Sequence, residues 1–218
     1  ERIDGTPIST WKDVNPTSSY KNDAIQNTGN NKPTYIESCL NSLPCVRFIN
    51  VSNAVTNSDF MSYDGTFLVG TDITIFVIES RRSSLTGNFF LSGTGGSSGT
   101  NLILGYLTDT TLRISLFGSD RDYTVPAFVA NTPVMHVFKI SATSGKSYYR
   151  NGVADLTGSG QTTLLSSYKP SYIGQSNVAN YFYDGDIFEI IMFNRALKDE
   201  ERLSIQTYLS KKWGIKLP

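Results

Sequence analysis

Three carboxylates, Asp184, Asp186 and Glu189, fall within a few residues of one another in a stretch rich in isoleucine and aromatic side chains. Paired acids flanking a scissile bond are the machinery of glycoside hydrolysis, one as nucleophile or base and the other as acid. Side chains two apart on a strand share a face, so residues 184 and 186 fall together. Residue 189 joins them only if a bulge absorbs one position. The bland alternative sets Glu189 on a strand face with Ile187 and Ile191, partly buried and therefore hydrogen-bonded. His136 is the only histidine, so a Ser-His-Asp triad or a histidine-bearing zinc site would have to use it. Its place in the apolar run Val134-Met135-His136-Val137-Phe138 reads instead as an ordinary strand histidine. No Cys-x-x-Cys, His-Glu-x-x-His or phosphate-loop pattern is present.

Other residues carry binding chemistry. Calcium asks for several oxygens from loops, and Asp13, Asn15 and Asp23, with Asn22 beside them, are the candidate ligands; Asp184 and Asp186 lie near a second loop. The same residue types also cap turns through their side chains, and both readings stay open. Sugars ask for aromatic faces beside amides and carboxylates. Segment 174–185 offers Gln175, Asn177, Asn180, Tyr181, Tyr183 and Asp184, a candidate binding rim. Tyr148, Tyr149 and Arg150 are a second possibility, unless one tyrosine of each pair packs inward while the other is solvated. Cys39 and Cys45 close a small disulfide loop if a turn at Pro44 brings their Cα atoms within about 7 Å; two buried thiols are the alternative. A disulfide would suit an exported protein.

The elements that must position these residues are mostly strands. Segments 44–50, 72–79, 89–91, 101–107, 111–117, 120–125, 134–142, 146–150, 171–174 and 185–194 are β-rich and separated by Gly, Asn, Asp and Ser. The near-continuous run 72–79 predicts a central strand covered on both faces. In 111–117, Leu112, Ile114 and Leu116 share one face. Asn151-Gly152 is a hairpin signal, and the Gly-rich loop 92–100 is either mobile or specially folded. At 199–213 the period becomes helical, with Ile205, Tyr208, Leu209 and Trp213 inward, acids first, Lys211-Lys212 last and Gly214 just beyond. Nineteen basic residues balance nineteen acidic ones in 218, so no global field attracts a polyanion and nucleic acid is an unsuitable partner. No apolar stretch is long enough to span a membrane as a helix. No repeat or linker divides residues 1–218, which read as a single domain, and the start Glu1-Arg2-Ile3-Asp4-Gly5 reads as part of a longer protein.

The order of several segments resembles the laminin-G-like branch of the concanavalin-like lectin/glucanase superfamily. They are Trp11-Lys12-Asp13-Val14-Asn15, Lys32-Pro33-Thr34-Tyr35, Pro44-Cys45-Val46-Arg47-Phe48, Tyr148-Tyr149-Arg150-Asn151-Gly152, Tyr172-Ile173-Gly174, Gly185-Asp186-Ile187-Phe188-Glu189-Ile190 and Phe193-Asn194-Arg195-Ala196-Leu197, closing on Lys212-Trp213-Gly214-Ile215. The resemblance implies an all-β fold, a two-sheet antiparallel jelly-roll sandwich with one short C-terminal α-helix. It implies an extracellular, cell-surface or virion-surface module that binds glycan or a protein partner, with calcium held by some relatives. Glucanases of this superfamily carry three strand acids, which makes Asp184, Asp186 and Glu189 the hydrolase alternative; the nucleophile slot holds Asp here, and a non-catalytic module is preferred. A structural shell or fibre domain is the other alternative. The resemblance also implies an apolar strand ahead of Trp11, so a homo-oligomer or a strand-donating partner is an expectation.

Overall fold

The computed structural model describes residues 3–16, 21–156, 158, 162–176 and 181–218. Among these, one antiparallel sheet has seven strands in the order Val153–Leu156, Gly145–Arg150, Val134–Ser141, Ile73–Arg81, Gly185–Phe193, Leu43–Phe48 and Thr34–Leu40. A second has eight, in the order Thr10–Trp11, Ala24–Ile25, Met61–Tyr63, Ser171–Ile173, Asn88–Gly93, Ile103–Thr108, Thr111–Ser115 and Arg121–Thr124. Gln175–Ser176 and Tyr181–Phe182 form a separate two-stranded ribbon.

Period-two alternation sorts the layers. In Ile73–Arg81, Ile73, Ile75 and Val77 join Phe90, Leu104, Leu112 and Ile114 in the core between the sheets. Phe76 and Ile78 point the other way, into a second core closed by Leu209 and Trp213. The strand is buried along its whole length, as the run 72–79 predicts. Leu112, Ile114 and Leu116 all point inward as their alternation requires.

That second core is roofed by the helix Asp199–Trp213, bounded as its sequence predicts. Asp199, Glu200 and Glu201 stand in the first turn, and Lys211 and Lys212 in the last, complementing the helix dipole. Glu201 accepts from the Lys198 amide at 2.9 Å and takes a two-pronged contact from Arg195. Gly214 ends the helix in the left-handed region that a residue without Cβ adopts freely. The inward stripe is Arg202, Gln206, Leu209 and Trp213, so Tyr208, expected inward, is 54% exposed instead. The reason is phase: 202, 206, 209 and 213 share one face, and Arg202 fills its first position by laying its guanidinium 3.9 Å over the Tyr149 ring.

Tight turns follow their residues. Asn151 and Gly152 both take positive φ, closing the hairpin between Gly145–Arg150 and Val153–Leu156. Cys39 and Cys45 are disulfide-bonded, Cα atoms 5.8 Å apart. The turn that brings them together is Asn41-Ser42, both at positive φ; Pro44 lies in the following strand. The Gly-rich loop is specially folded: buried Asn101 accepts from the Gly93 amide and donates to its carbonyl, and the Gly99 amide donates to Leu116 O. Near the start of the chain, Gly5 and Ile8 amides donate to Tyr35 and Pro33 carbonyls, and Pro7 bridges Thr34. The chain thus covers part of the seven-stranded sheet's edge with its own residues.

Candidate functional site

The bulge that a catalytic acid cluster requires is present. Pairing of Gly185–Phe193 with Ile73–Arg81 slips between Ile187 and Glu189. Ile187, opposite Glu79, faces the inner core, whereas Glu189 and Ile191 face the helix. Ile187 and Glu189 therefore do not share a face as plain alternation would have it. Asp186 and Glu189 both lie on the helix side, and both are engaged there. Asp186 takes a two-pronged contact from Arg47, at 2.7 and 2.9 Å, which pushes the Arg47 pKa up. Glu189 is half-buried, as anticipated, and accepts from Trp213 Nε1 at 2.6 Å with Lys212 Nζ 3.0 Å away. Asp184 precedes the strand; its amide donates to Asn88 and its carbonyl accepts from Arg82. The carboxylates of Asp186 and Glu189 are thus tied to Arg47, Trp213 and Lys212, whereas the bonds of Asp184 are those of its backbone.

His136 lies in the strand Val134–Ser141, as its apolar run predicts. It is fully buried between the sheets beside an equally buried carboxylate, Glu79. Glu79 Oε1 lies 2.8 Å from His136 Nε2 and accepts from the Tyr106 hydroxyl at 2.9 Å. Glu79 Oε2 accepts from Tyr183 at 2.5 Å, and His136 Nδ1 meets the Tyr148 hydroxyl at 2.8 Å. Burial pushes the pKa values of Tyr106, Tyr148 and Tyr183 well above the ordinary phenol value. The order Glu79, His136, Tyr148 has the connectivity of a relay, yet Tyr148 has no exposed surface on which to meet a substrate.

This network corrects two expectations. Tyr183, proposed for the binding rim, is a core residue bonded to Glu79. Tyr148 and Tyr149 are both buried, because the seven-stranded sheet is covered on both faces: Tyr148 lies between the sheets and Tyr149 under the helix. Of the remaining rim residues, Gln175 is buried, Asp184 is half-buried, and Tyr181 packs its ring on Phe89 with centroids 6.1 Å apart. Asn177 and Asn180 lie outside the described residues.

The proposed calcium ligands form a capped turn. Asp13 Oδ1 and Oδ2 accept from the Asn15 and Asn22 amides, and Asp23 Oδ1 accepts from the Asp13 amide at 2.8 Å. Lys21 Nζ donates to the Asn15 carbonyl, placing a competing cation on the loop. These bonds are those of a side-chain-capped turn. Among the described residues, Cys39, Cys45 and Asp186 are the one His/Cys/Asp/Glu group close enough to share a cation, and the disulfide and Arg47 occupy them.

Asp59 is an acid that sequence reasoning passed over. Its carboxylate accepts from the Ile49 amide at 2.9 Å, and burial, reinforced by the charge of Asp184, pushes its pKa up to about 7. The folded state therefore holds the Asp59 proton more tightly than the unfolded chain does. That contribution to stability is present below about pH 4 and is lost as pH rises to about 7. Thermal melts of Asp59→Asn are expected to lack this decline; an identical pH profile in the variant would refute the assignment.

An open surface lies on the outer face of the eight-stranded sheet. Ala24, Met61 and Ile173 point into the core, so their strand neighbours Ile25, Ser62 and Tyr172 point outward in one paired row. The Tyr172 ring meets Phe60 edge-on at 5.6 Å, and Phe60 meets Phe182 of the ribbon at 6.2 Å. Beside this ridge is a groove of about 490 Å³ floored by Ile25 and Ser62 and rimmed by Lys21, Asp23, Asp64 and Lys169. Aromatic faces next to hydroxyl, ammonium and carboxylate groups suit a polyhydroxylated ligand.

Residues 57–201 match the concanavalin A-like lectin/glucanases superfamily. The chain belongs to that superfamily. No curated protein matches it. Solved structures share the fold at low identity. Domain 4 of an extracellular arabinanase from Geobacillus stearothermophilus, in complex with arabinotriose, is similar at TM-score 0.60 and 13% identity over 80% of this chain and 81% of that one. A sialidase from Trypanosoma rangeli is similar at TM-score 0.62 and 15% identity over 97% of this chain but 32% of that one. The chain thus spans about a third of the sialidase, and likeness at such identity concerns the fold alone.

Proposed function

We propose that this concanavalin A-like domain is a non-catalytic carbohydrate-binding module, working outside the cell, whose glycan lies along the outer face of the eight-stranded sheet. The observation that carries this reading is an asymmetry of cover. The helix roofs the outer face of the seven-stranded sheet, whereas the other outer face carries the Tyr172–Phe60 ridge and the adjoining groove. The ribbon Gln175–Ser176 and Tyr181–Phe182 stands beside this ridge through the Phe60–Phe182 contact; Phe182 and Tyr183 are fully buried, so the half-buried Tyr181 is the aromatic that segment 174–185 offers among the described residues. The arabinotriose complex of the arabinanase domain supports a sugar as ligand class. The disulfide supports an oxidising compartment.

A glycan array with calcium and again with EDTA tests this. Retention of a defined glycan is expected, with EDTA deciding whether calcium at the Asp13 loop contributes. Tyr172→Ala is expected to weaken that binding about tenfold, or about 1.4 kcal/mol, without changing the melting temperature. Silence in both arms would sink the reading and leave a structural shell or fibre role.

A further inference from the structure

Lys146 is only 4% exposed, yet it forms no ion pair with a carboxylate among the described residues. It lies on the strand Gly145–Arg150, opposite Ile140 and two residues before Tyr148, so its side chain enters the space between the sheets. Ser119 comes from the other sheet, on the loop joining Thr111–Ser115 to Arg121–Thr124. Lys146 Nζ lies 2.8 Å from Ser119 Oγ and also donates to the Ser119 carbonyl. Thr162 Oγ1 stands 3.3 Å from the same hydroxyl. The loop turns sharply just before it, with Phe117 and Gly118 both at positive φ, a region that a bulky side chain rarely enters. Ser119 is half-buried between Gly118 and Asp120, both exposed, so it is the solvent-side member of the pair.

An ammonium in this place has lost most of its water and gained no paired counter-ion, which favours the neutral amine. Burial, the largest influence, pushes the Lys146 pKa down to about 8; of the charges facing it, Asp120 opposes this and Arg121 adds to it. A neutral amine keeps two hydrogens and one lone pair. With one N–H on the Ser119 carbonyl, the lone pair is free to accept from the Ser119 hydroxyl. A serine hydroxyl within bonding distance of a desolvated lysine has the relation of nucleophile to base found in Ser-Lys pairs. The pair shares no residue with the groove beside Tyr172.

We propose that Ser119 is an acylation site, its hydroxyl taking an acyl group from an ester or thioester with Lys146 as the base. The Ser119 O–H bond breaks and its proton passes to Lys146 Nζ as Oγ bonds to the acyl carbon. The bond from that carbon to the leaving oxygen or sulfur then breaks, and Lys146 returns the proton to the departing alcohol or thiol. The product is a serine ester on the protein itself, a single transfer without turnover, so the non-catalytic glycan reading does not depend on it. The test treats the whole chain with p-nitrophenyl acetate and maps the acetyl groups by peptide mass spectrometry, before and after hydroxylamine, which cleaves esters and spares amides. One hydroxylamine-sensitive acetyl on Ser119 is expected. Its rate should rise about tenfold from about pH 7 to about pH 9 and then level off, following the neutral fraction of Lys146. Ser119→Ala removes the label and leaves Lys146 its bond to the backbone carbonyl. Lys146→Met keeps the stem without the base and is expected to abolish labelling of Ser119; should that variant fail to fold, the pH profile of the unaltered chain decides. An unlabelled Ser119, a hydroxylamine-resistant acetyl on Lys146 in its place, or a rate that climbs without levelling off would overturn the proposal.

Discussion

Replacing Glu79 by alanine is expected to destabilise the fold by about 3–5 kcal/mol, the range for breaking a buried charged network by removing one member. Glu79 is fully buried in the middle of the seven-stranded sheet, opposite Ile187 on one side and Val134 on the other. Three groups converge on its carboxylate: the hydroxyls of Tyr106 and Tyr183 and the imidazole of His136. Without the carboxylate all three remain buried, and each stranded polar group costs about 1–3 kcal/mol. For a chain of this length such a loss lowers the melting temperature by very roughly 6–20 °C. Glu79→Gln preserves the shape and one acceptor oxygen and is expected to cost about half as much. Urea melts of the two variants check this. A midpoint of Glu79→Ala close to wild type would show that the network contributes little.

The two-sheet frame was legible because its strongest signals are local. The unbroken run at 72–79 could only be a doubly covered strand, and the Leu112, Ile114, Leu116 alternation fixed its own inward face. Asn151-Gly152 supplied the two positive φ values that its turn demands, and acids, bases and Gly214 marked both ends of the helix. The short strands Thr10–Trp11, Ala24–Ile25 and Met61–Tyr63 were not legible, since two or three residues carry no measurable period. Their pairing depends on partners distant in the chain. The bulge beside Phe188 was anticipated only as a condition, yet it decides which way Glu189 points. Glu79 and Arg81 had one signal that went unused: both are in phase with Ile73, Ile75 and Val77, which already placed them on the inner row. A count of two along the strand would have found the buried carboxylate and the buried guanidinium, though not their partners. Tyr183 was misplaced for the converse reason, because a tyrosine in a polar segment reads as exposed until a buried acceptor for its hydroxyl is known.

Trp213→Ala is the second large effect, again about 3–5 kcal/mol for deleting a fully buried aromatic ring. Trp213 joins three structures at once. Its ring packs on Phe188 with centroids 5.4 Å apart, its Nε1 donates to Glu189, and it occupies the last helical position before Gly214. Glu189→Gln should behave differently. It keeps an oxygen to accept from Trp213 and gives up only the ion pair with Lys212, which is half-exposed and worth at most about 1 kcal/mol. The contrast separates a clamp from a catalyst. If Glu189 serves the helix, Trp213→Ala unfolds early in a thermal melt, Glu189→Gln melts near wild type, and the double variant melts close to Trp213→Ala, because Gln keeps the oxygen that Trp213 uses and loses only the ion pair with Lys212. A glucanase using Glu189 would instead show β-glucan hydrolysis in wild type that Glu189→Gln abolishes at unchanged stability. The indole already occupies one oxygen of that carboxylate at 2.6 Å, with Lys212 beside the same oxygen, so the first pattern is the expected one.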